Sequence, residues 1–195
     1  MTIILPWPPS KLNPNQRLHF AAKAKRLIFV HMNGAMSQHD TFEYKPKLFQ
    51  DHGKTAPGGS ILTKPNFKFS QHGQTGSWFS TLLPNLARHA DKLCWLRGLH
   101  TDTPAHPQAV VQLHTGSANA ALTRPSLGAW LLYGLGSENQ DIPAFVAIPD
   151  PRGVPQIGPR QWASGFLPAV FQGTPLGADR PVPNLARPAS IPEEA

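Results

Sequence analysis

The amino-acid sequence predicts an α/β fold with a mostly parallel sheet. Three short apolar runs of strand character, at residues 26–32, 93–99 and 144–149, alternate with segments of helical periodicity. Strands that alternate with helices along a chain are typical of a parallel sheet. With 195 residues, 22 of them proline and 16 glycine, the chain is long enough for one domain with a core, built from short elements and many loops.

The N-terminal part of the chain predicts two strands and a long irregular segment. Residues 1–15 are rich in proline and predict one edge strand followed by an extended arm. The run RLIFVHM at residues 26–32 predicts a buried strand that ends at the Asn33-Gly34 turn. Residues 41–76 show little periodicity apart from FKFS, which predicts a short strand.

The centre of the chain predicts a helix and a second strand. Apolar residues recur at spacings of three and four over residues 78–93, and Pro84 sets the start of the helix, with a separate turn before it. The run LCWLRGL at residues 93–99 predicts the strand. Its Cys94 is the one cysteine of the sequence, which excludes a disulfide within the chain and a cysteine-based zinc site, and we expect this thiol to be buried.

The C-terminal half predicts two helices, a third strand at residues 144–149, and loops after Asp150. The helix boundaries are marked by residues that start or cap helices: His106, Pro107 and Gly116 for the first helix, and Ser126 with Gly134 or Gly136 for the second. Aromatic side chains are expected in the core, including those of Trp78, Trp95, Trp130 and Trp162.

Charge and hydropathy narrow the classes of partner. The formal net charge is +7, but the Lys and Arg residues are scattered and do not alternate with aromatic residues, so a nucleic-acid partner is not indicated. No apolar run approaches the roughly 20 residues that a membrane span needs. The N-terminus lacks the charged and apolar regions of a signal peptide, so the chain as written is expected in the cytoplasm.

Two loops are the default site of such a fold, because ligands of open α/β sheets bind beyond the carboxyl ends of the strands. These loops are residues 33–40 and 100–106. The second opens the stretch HTDTPAHPQAVVQLHTG, which holds three histidines and an aspartate. A polar turn that caps the following helix, with Asp102 as N-cap, explains the same residues. A hydrogen bond from the Asp40 side chain to the nearby backbone would account for an aspartate after the Asn-Gly turn. An anion contact or packing within a turn would account for His106 at a helix start. His114 is expected to face outward.

Six motifs resemble one uncharacterised bacterial family of sulfatase-like proteins, the domain of unknown function DUF1501. They occur in the family's order between about residues 20 and 192: AAKAKRLIFV, SQHDTFEYKP, LLPNLARHADKLCWLRGLHTDTPAHPQAVVQLHTG, RPSLGAWLLYGLGSENQDIPAFV, SGFLPAVFQGTPL and PNLARP. The resemblance implies the alkaline-phosphatase-like superfamily, with a doubly wound α/β fold, long loops and metal-assisted hydrolysis of sulfate or phosphate esters. Family members are usually exported or periplasmic.

The resemblance also implies roles for particular residues. The nucleophile of the superfamily lies ten residues before a Thr-Gly pair, which places His106 there, where a Ser, Thr or Cys is expected; Thr103 is a nearby hydroxyl. A divalent metal (zinc, calcium or magnesium) would be held by Asp40, His39, His100 and Asp102. His106 and His114 are further histidines that would add to such a cluster.

The resemblance divides the chain into a proline-rich arm at residues 1–19 and the N-terminal part of a sulfatase-like domain at residues 20–195. It covers less than half of such a domain, so we expect little turnover and a sheet with an open edge and an uncovered face, which favours self-association or a partner that supplies the missing half. The expected ligand is a small anionic ester or a sulfated polysaccharide.

Two other functions stay open. One is a non-catalytic module, structural or binding an anion or a polysaccharide through its strand-end loops. The other follows from LPWPPSKLNPNQRLHF at residues 5–20, which resembles the opening of Holliday-junction resolvases of the RusA type and implies a DNA-junction endonuclease. The acidic residues that those nucleases need for magnesium have no counterpart further along the chain.

Overall fold

A computed structural model describes residues 24, 26–32, 34, 36–119, 121–137, 142–151, 157–177 and 182, and the backbone of residues 2–6. The chain forms two compact units: unit 1 comprises Met1–Asn33 and His100–Ala195, and unit 2 comprises Gly34–Leu99. Helices and short strands occur together, as the general α/β class requires. The predicted boundary at residue 19, and most of the segment that resembles a resolvase, lie outside the described residues.

Unit 1 contains a four-stranded sheet in the order β2-β1-β5-β6. Its strands are β1 (Thr2–Pro6), β2 (Arg26–Val30), β5 (Val146–Ile148) and β6 (Thr174–Pro175). β1 pairs antiparallel with both β2 and β5, whereas β5 and β6 pair parallel. The sheet is therefore not mostly parallel in its described pairings. The expectation of an edge strand at the N-terminus is also wrong, because β1 lies between two other strands.

The strand β2 is not buried as its apolar sequence predicted. Ile28 is 58% exposed and Val30 is 68% exposed. The reason is position, because β2 stands last in the order of the described sheet and has a neighbour on one side only. Phe29 points to the opposite face by strand alternation and packs against the core of the unit.

Two helices of unit 1 follow the sequence prediction closely. α4 (His106–Thr115) ends at Gly116, whose φ of 78° is left-handed and whose N–H donates to the Gln112 carbonyl at 2.7 Å. α5 (Leu127–Leu135) begins after Ser126, whose hydroxyl accepts from the Ala129 N–H. The C-cap of α5 is Gly136.

The core of unit 1 packs α5 against β5. Phe145, Ala147, Ala129 and Trp162 form its buried centre. Gly128 permits the close approach, because a Cβ atom there would lie within 2.6 Å of three Phe145 ring carbons. Trp162 is thus a core residue, as predicted, while Trp130 is 43% exposed and contradicts that prediction.

Unit 2 consists of short elements around an aromatic cluster. Its elements are α1 (Gln38–Thr41), α2 (Pro46–Gln50), β3 (Phe69–His72), β4 (Ser77–Ser80) and α3 (Pro84–Ala87). β3 and β4 form an antiparallel hairpin, whose turn is held by the Asp91 carboxylate, which accepts from the Gln74 and Thr75 N–H groups at 3.1 and 3.0 Å. The pKa of Asp91 is lowered chiefly by these backbone hydrogen bonds.

Unit 2 corrects three further predictions. The helix does begin at Pro84 after a turn at residues 81–82, but it ends at Ala87, and residues 77–80 form β4. β3 is the strand that FKFS predicted, shifted towards His72. Residues 93–99 form no strand; Trp95 instead packs on Phe79, with ring centroids 5.4 Å apart. Cys94 in this segment is exposed, not buried.

No helix in the described parts of the chain is both long and apolar enough to span a membrane.

Candidate functional site

The loop before α4 is fastened to the helix by a reciprocal pair of hydrogen bonds. The Asp102 N–H donates to Gln112 Oε1 at 2.9 Å, and Gln112 Nε2 donates to Asp102 Oδ2 at 2.8 Å. The N-cap position of α4 belongs to Ala105, so Asp102 does not cap that helix. In unit 1 its carboxylate serves as a clamp between loop and helix, which neither the capping nor the metal-ligand interpretation anticipated.

The predicted catalytic residues lie at the same end of α4. The Thr103 hydroxyl accepts from the Ala105 N–H at 3.2 Å, and the Thr103 carbonyl accepts from the Thr101 hydroxyl at 2.9 Å. His106 is the exposed first residue of the helix. No side chain caps this helix end, and its first turn holds no acidic residue to offset the positive end of the helix dipole.

The predicted metal ligands are divided between the two units. His39 and Asp40 lie in α1 of unit 2, where His39 Nδ1 is 4.0 Å from Glu43 Oε2. His100 and Asp102 belong to unit 1. The described residues contain no group of three or more His, Cys, Asp or Glu side chains that would hold a metal ion. The four-residue metal site stays a prediction.

A pair of imidazoles at the other end of α4 was not anticipated. His114 is 1% exposed, and its ring centroid lies 4.9 Å from that of His31, with the rings inclined at 69°. Phe29 closes another side, with its centroid 5.2 Å from His114. Neither ring nitrogen of His114 has a hydrogen-bond partner in the part of the chain that the structure describes. Buried polar atoms without partners are uncommon and require an explanation.

One sequence signal does place His114 inward. It follows Val110 and Val111 by four and three residues, the spacing at which side chains share a helix face, and both valines are buried. The expectation that His114 faces outward is therefore wrong. His31 directly follows β2, and sequence patterning carries no sign that it meets a helix about eighty residues later in the chain.

Burial keeps the His114 imidazole neutral. The pKa of His114 is lowered to about 4, chiefly by burial and secondly by the nearby His31. Burial also lowers the pKa of His31. The neutral form of imidazole is the one that binds metals, so the lowered pKa values favour the metal-binding form of both rings.

The described residues of unit 1 also include an exposed aromatic patch, defined here as Trp130, Tyr133 and Phe166. These side chains are 43%, 55% and 67% exposed. The Trp130 centroid lies 6.0 Å from that of Tyr133 and 5.7 Å from that of Phe166. Adjacent exposed aromatic residues are typical of binding surfaces.

The comparisons with known proteins identify a family and nothing narrower. No curated protein and no solved structure matches the chain. The family model described as "Protein of unknown function (DUF1501)" matches residues 24–195, which include the imidazole pair, α4, α5 and every described strand except β1. The chain therefore belongs to the DUF1501 family of proteins of unknown function.

Proposed function

We propose that this chain contributes an alkaline-phosphatase-like domain that hydrolyses sulfate or phosphate esters with the help of a divalent metal. The observation that carries the proposal is strand direction. β2 and β5 both run opposite to β1, and β6 runs parallel to β5, so the three strands of this sheet that lie in the family-matched region, β2, β5 and β6, point the same way. On this proposal the underlying sheet is parallel and doubly wound, and β1 is an added antiparallel strand.

The shared direction supports a site at one edge of the sheet. Val30 and Ile148 are both registered with Thr2, so the carboxyl ends of β2 and β5 lie level. His31 follows the end of β2, and Asp150 follows the end of β5. Because β1 lies between these strands, β2 and β5 are two strand spacings apart, roughly 10 Å. Ligands of parallel α/β sheets bind at this kind of edge.

The N-terminal end of α4 supplies the proposed reacting group. His106 would contact or attack the ester, and the dipole of the ten-residue helix would favour the anionic substrate. The clamp between Asp102 and Gln112 holds the preceding loop in one conformation, which reduces the entropy lost on binding. The substrate class is a small anionic ester or a sulfated polysaccharide.

The test is an ester-hydrolysis assay on the full chain with aryl sulfate and aryl phosphate, each with added zinc, calcium or magnesium. The proposal expects metal-dependent turnover that falls at least tenfold in His106→Ala and is unchanged in His89→Ala, an exposed histidine of unit 2. Turnover absent with every metal, or equal in His106→Ala and the parent chain, contradicts the proposal.

The aromatic patch favours a second candidate, a non-catalytic module that binds a sulfated polysaccharide. Trp and Tyr side chains supply large rigid contact surfaces at little entropic cost. The test is affinity electrophoresis of the chain in gels that contain the polymer. If the polymer slows the migration of the chain, Trp130→Ala abolishes this effect and no aryl ester is cleaved, then the chain is a binding module and not a hydrolase.

A further inference from the structure

We propose that His31 and His114 together bind one transition-metal ion of the zinc class. This site differs from the predicted set of Asp40, His39, His100 and Asp102. It goes beyond the proposed function and does not rest on it, because the pair lies at the C-terminal end of α4, about 12 Å along the helix from His106. The binding itself follows from the burial, spacing and chemistry of the two rings.

The unmet bonding capacity of His114 is the first support. A neutral imidazole has one N–H donor and one nitrogen acceptor. Both His114 nitrogens are buried and have no hydrogen-bond partner in the structure, and the residue as a whole is 1% exposed. A metal ion on one nitrogen would satisfy the acceptor that the fold leaves unused.

The spacing of the two rings is the second support. Imidazole nitrogens lie about 2.0–2.1 Å from zinc, and tetrahedral coordination then places the centroids of two rings that share one ion roughly 5 Å apart. The observed centroid separation is 4.9 Å. The two rings are therefore already as far apart as two imidazoles that share one ion.

The donor set selects the class of metal. Imidazole favours zinc, cobalt, nickel and copper, whereas calcium and magnesium need oxygen ligands. Among the described residues, no third His, Cys, Asp or Glu side chain completes a metal-binding group with the pair. Two protein ligands leave coordination positions for water or for an oxygen of the substrate, as in catalytic metal sites and unlike closed structural ones.

The surroundings of the pair would strengthen the binding. Phe29 lies against His114, so water has little access to that ring. His31 is half-buried and follows the carboxyl end of β2, the edge at which the proposed function places the substrate. An ion held by both residues would reach that edge on the His31 side.

The test uses the full chain, first freed of metal with a chelator and then titrated with cobalt(II) alone. The visible absorption of cobalt(II) reports its ligands, and zinc(II) added afterwards should displace it. We expect one equivalent to bind, and binding at least tenfold weaker in His114→Phe, which keeps an aromatic ring beside Phe29. His31→Gln should show the same loss, and His89→Phe should bind as the parent chain does.

The outcomes separate this inference from the proposed function. Stoichiometric cobalt lost in both His31→Gln and His114→Phe supports the pair, even when no ester is cleaved. Binding that survives in either folded variant, or no stoichiometric binding by the parent chain, overturns it. If His114→Phe does not give the circular dichroism of the folded chain, His31→Gln decides alone, because His31 is only half-buried at a strand end.

Discussion

The two ends of α4 differ in how their polar groups are satisfied. At the N-terminal end, Asp102 and Thr103 are exposed or half-buried and have partners in Gln112 and Ala105. At the C-terminal end, His114 is buried and neither of its ring nitrogens has a hydrogen-bond partner among the described residues. The two ends are about 12 Å apart, from the helical rise over the eight residues between His106 and His114.

This difference shows that residue types common in active sites do not by themselves mark a site. The cluster of His, Asp and Thr before α4 looks catalytic in sequence, yet the structure uses Asp102 and Thr103 to hold a loop. A buried polar group without a partner costs about 1–3 kcal/mol, while an exposed one can bond to water. The unsatisfied group at the C-terminal end of α4 therefore calls for a function more strongly.

The largest expected effect is the pH dependence of stability at the C-terminal end. The pKa of His114 falls from its ordinary value of 6.5 to about 4 on folding. Below pH 6.5 the unfolded chain takes up a proton that the folded chain does not, so acid favours unfolding. For the metal-free chain, we expect the free energy of unfolding to fall by about 3 kcal/mol between pH 6.5 and 4.

The measurement is urea denaturation at half-unit steps of pH in the presence of a chelator. His114→Phe should remove most of the slope in this range, while His106→Ala, at the exposed end of the same helix, should keep it. A parent chain whose stability is level from pH 6.5 to 4 would mean that His114 is solvated, and the contrast between the two ends would disappear.

A smaller effect is expected from the glycine that ends α4. Gly116 has a φ of 78°, and a Cβ atom there would meet nothing within 4 Å. Gly116→Ala should therefore lower the free energy of unfolding by about 1 kcal/mol through backbone strain alone.

Gly134→Ala is the matched control, since Gly134 lies within α5 with equal space and no positive φ. This variant should instead stabilise the chain by up to about 1 kcal/mol. A loss of equal size in both variants would contradict this explanation.

The sequence predicted the elements whose boundaries are local. α4 and α5 begin and end at the residues expected, because Pro107, Gly116, Ser126 and Gly136 act within a turn of their own positions. β5 also lies within the strand expected there. The pairing of β1 between β2 and β5 could not be predicted, since strand order depends on contacts between residues far apart in the chain.

Two errors have the same physical origin. Residues 93–99 have the apolar composition of a strand, but Trp95 packs on Phe79 without strand pairing. Residues 26–32 have the composition of a buried strand, yet among the described strands β2 has a neighbour on one side only. Composition reports which side chains tend to be buried and not which neighbour covers them. The imidazole pair was missed for this reason, since only tertiary contact joins His31 to His114.

The smallest expected effect is the strength of the clamp at the N-terminal end of α4. Gln112→Ala removes both hydrogen bonds, whereas Asp102→Ala removes only the one to Oδ2 and leaves the backbone N–H bond in place. We expect Gln112→Ala to cost about 1 kcal/mol of stability and Asp102→Ala less, with a coupling energy of about 0.5–1 kcal/mol in the double-mutant cycle.

A second cycle, of Asp102→Ala with Gln108→Ala, should show no coupling, because Gln108 is exposed and makes no bond to Asp102 in the structure. Urea denaturation at neutral pH measures both cycles. A coupling energy near zero between Asp102 and Gln112 would mean that the two hydrogen bonds do not hold the loop to the helix, and the polar groups at the N-terminal end of α4 would then be no better satisfied than those at the C-terminal end.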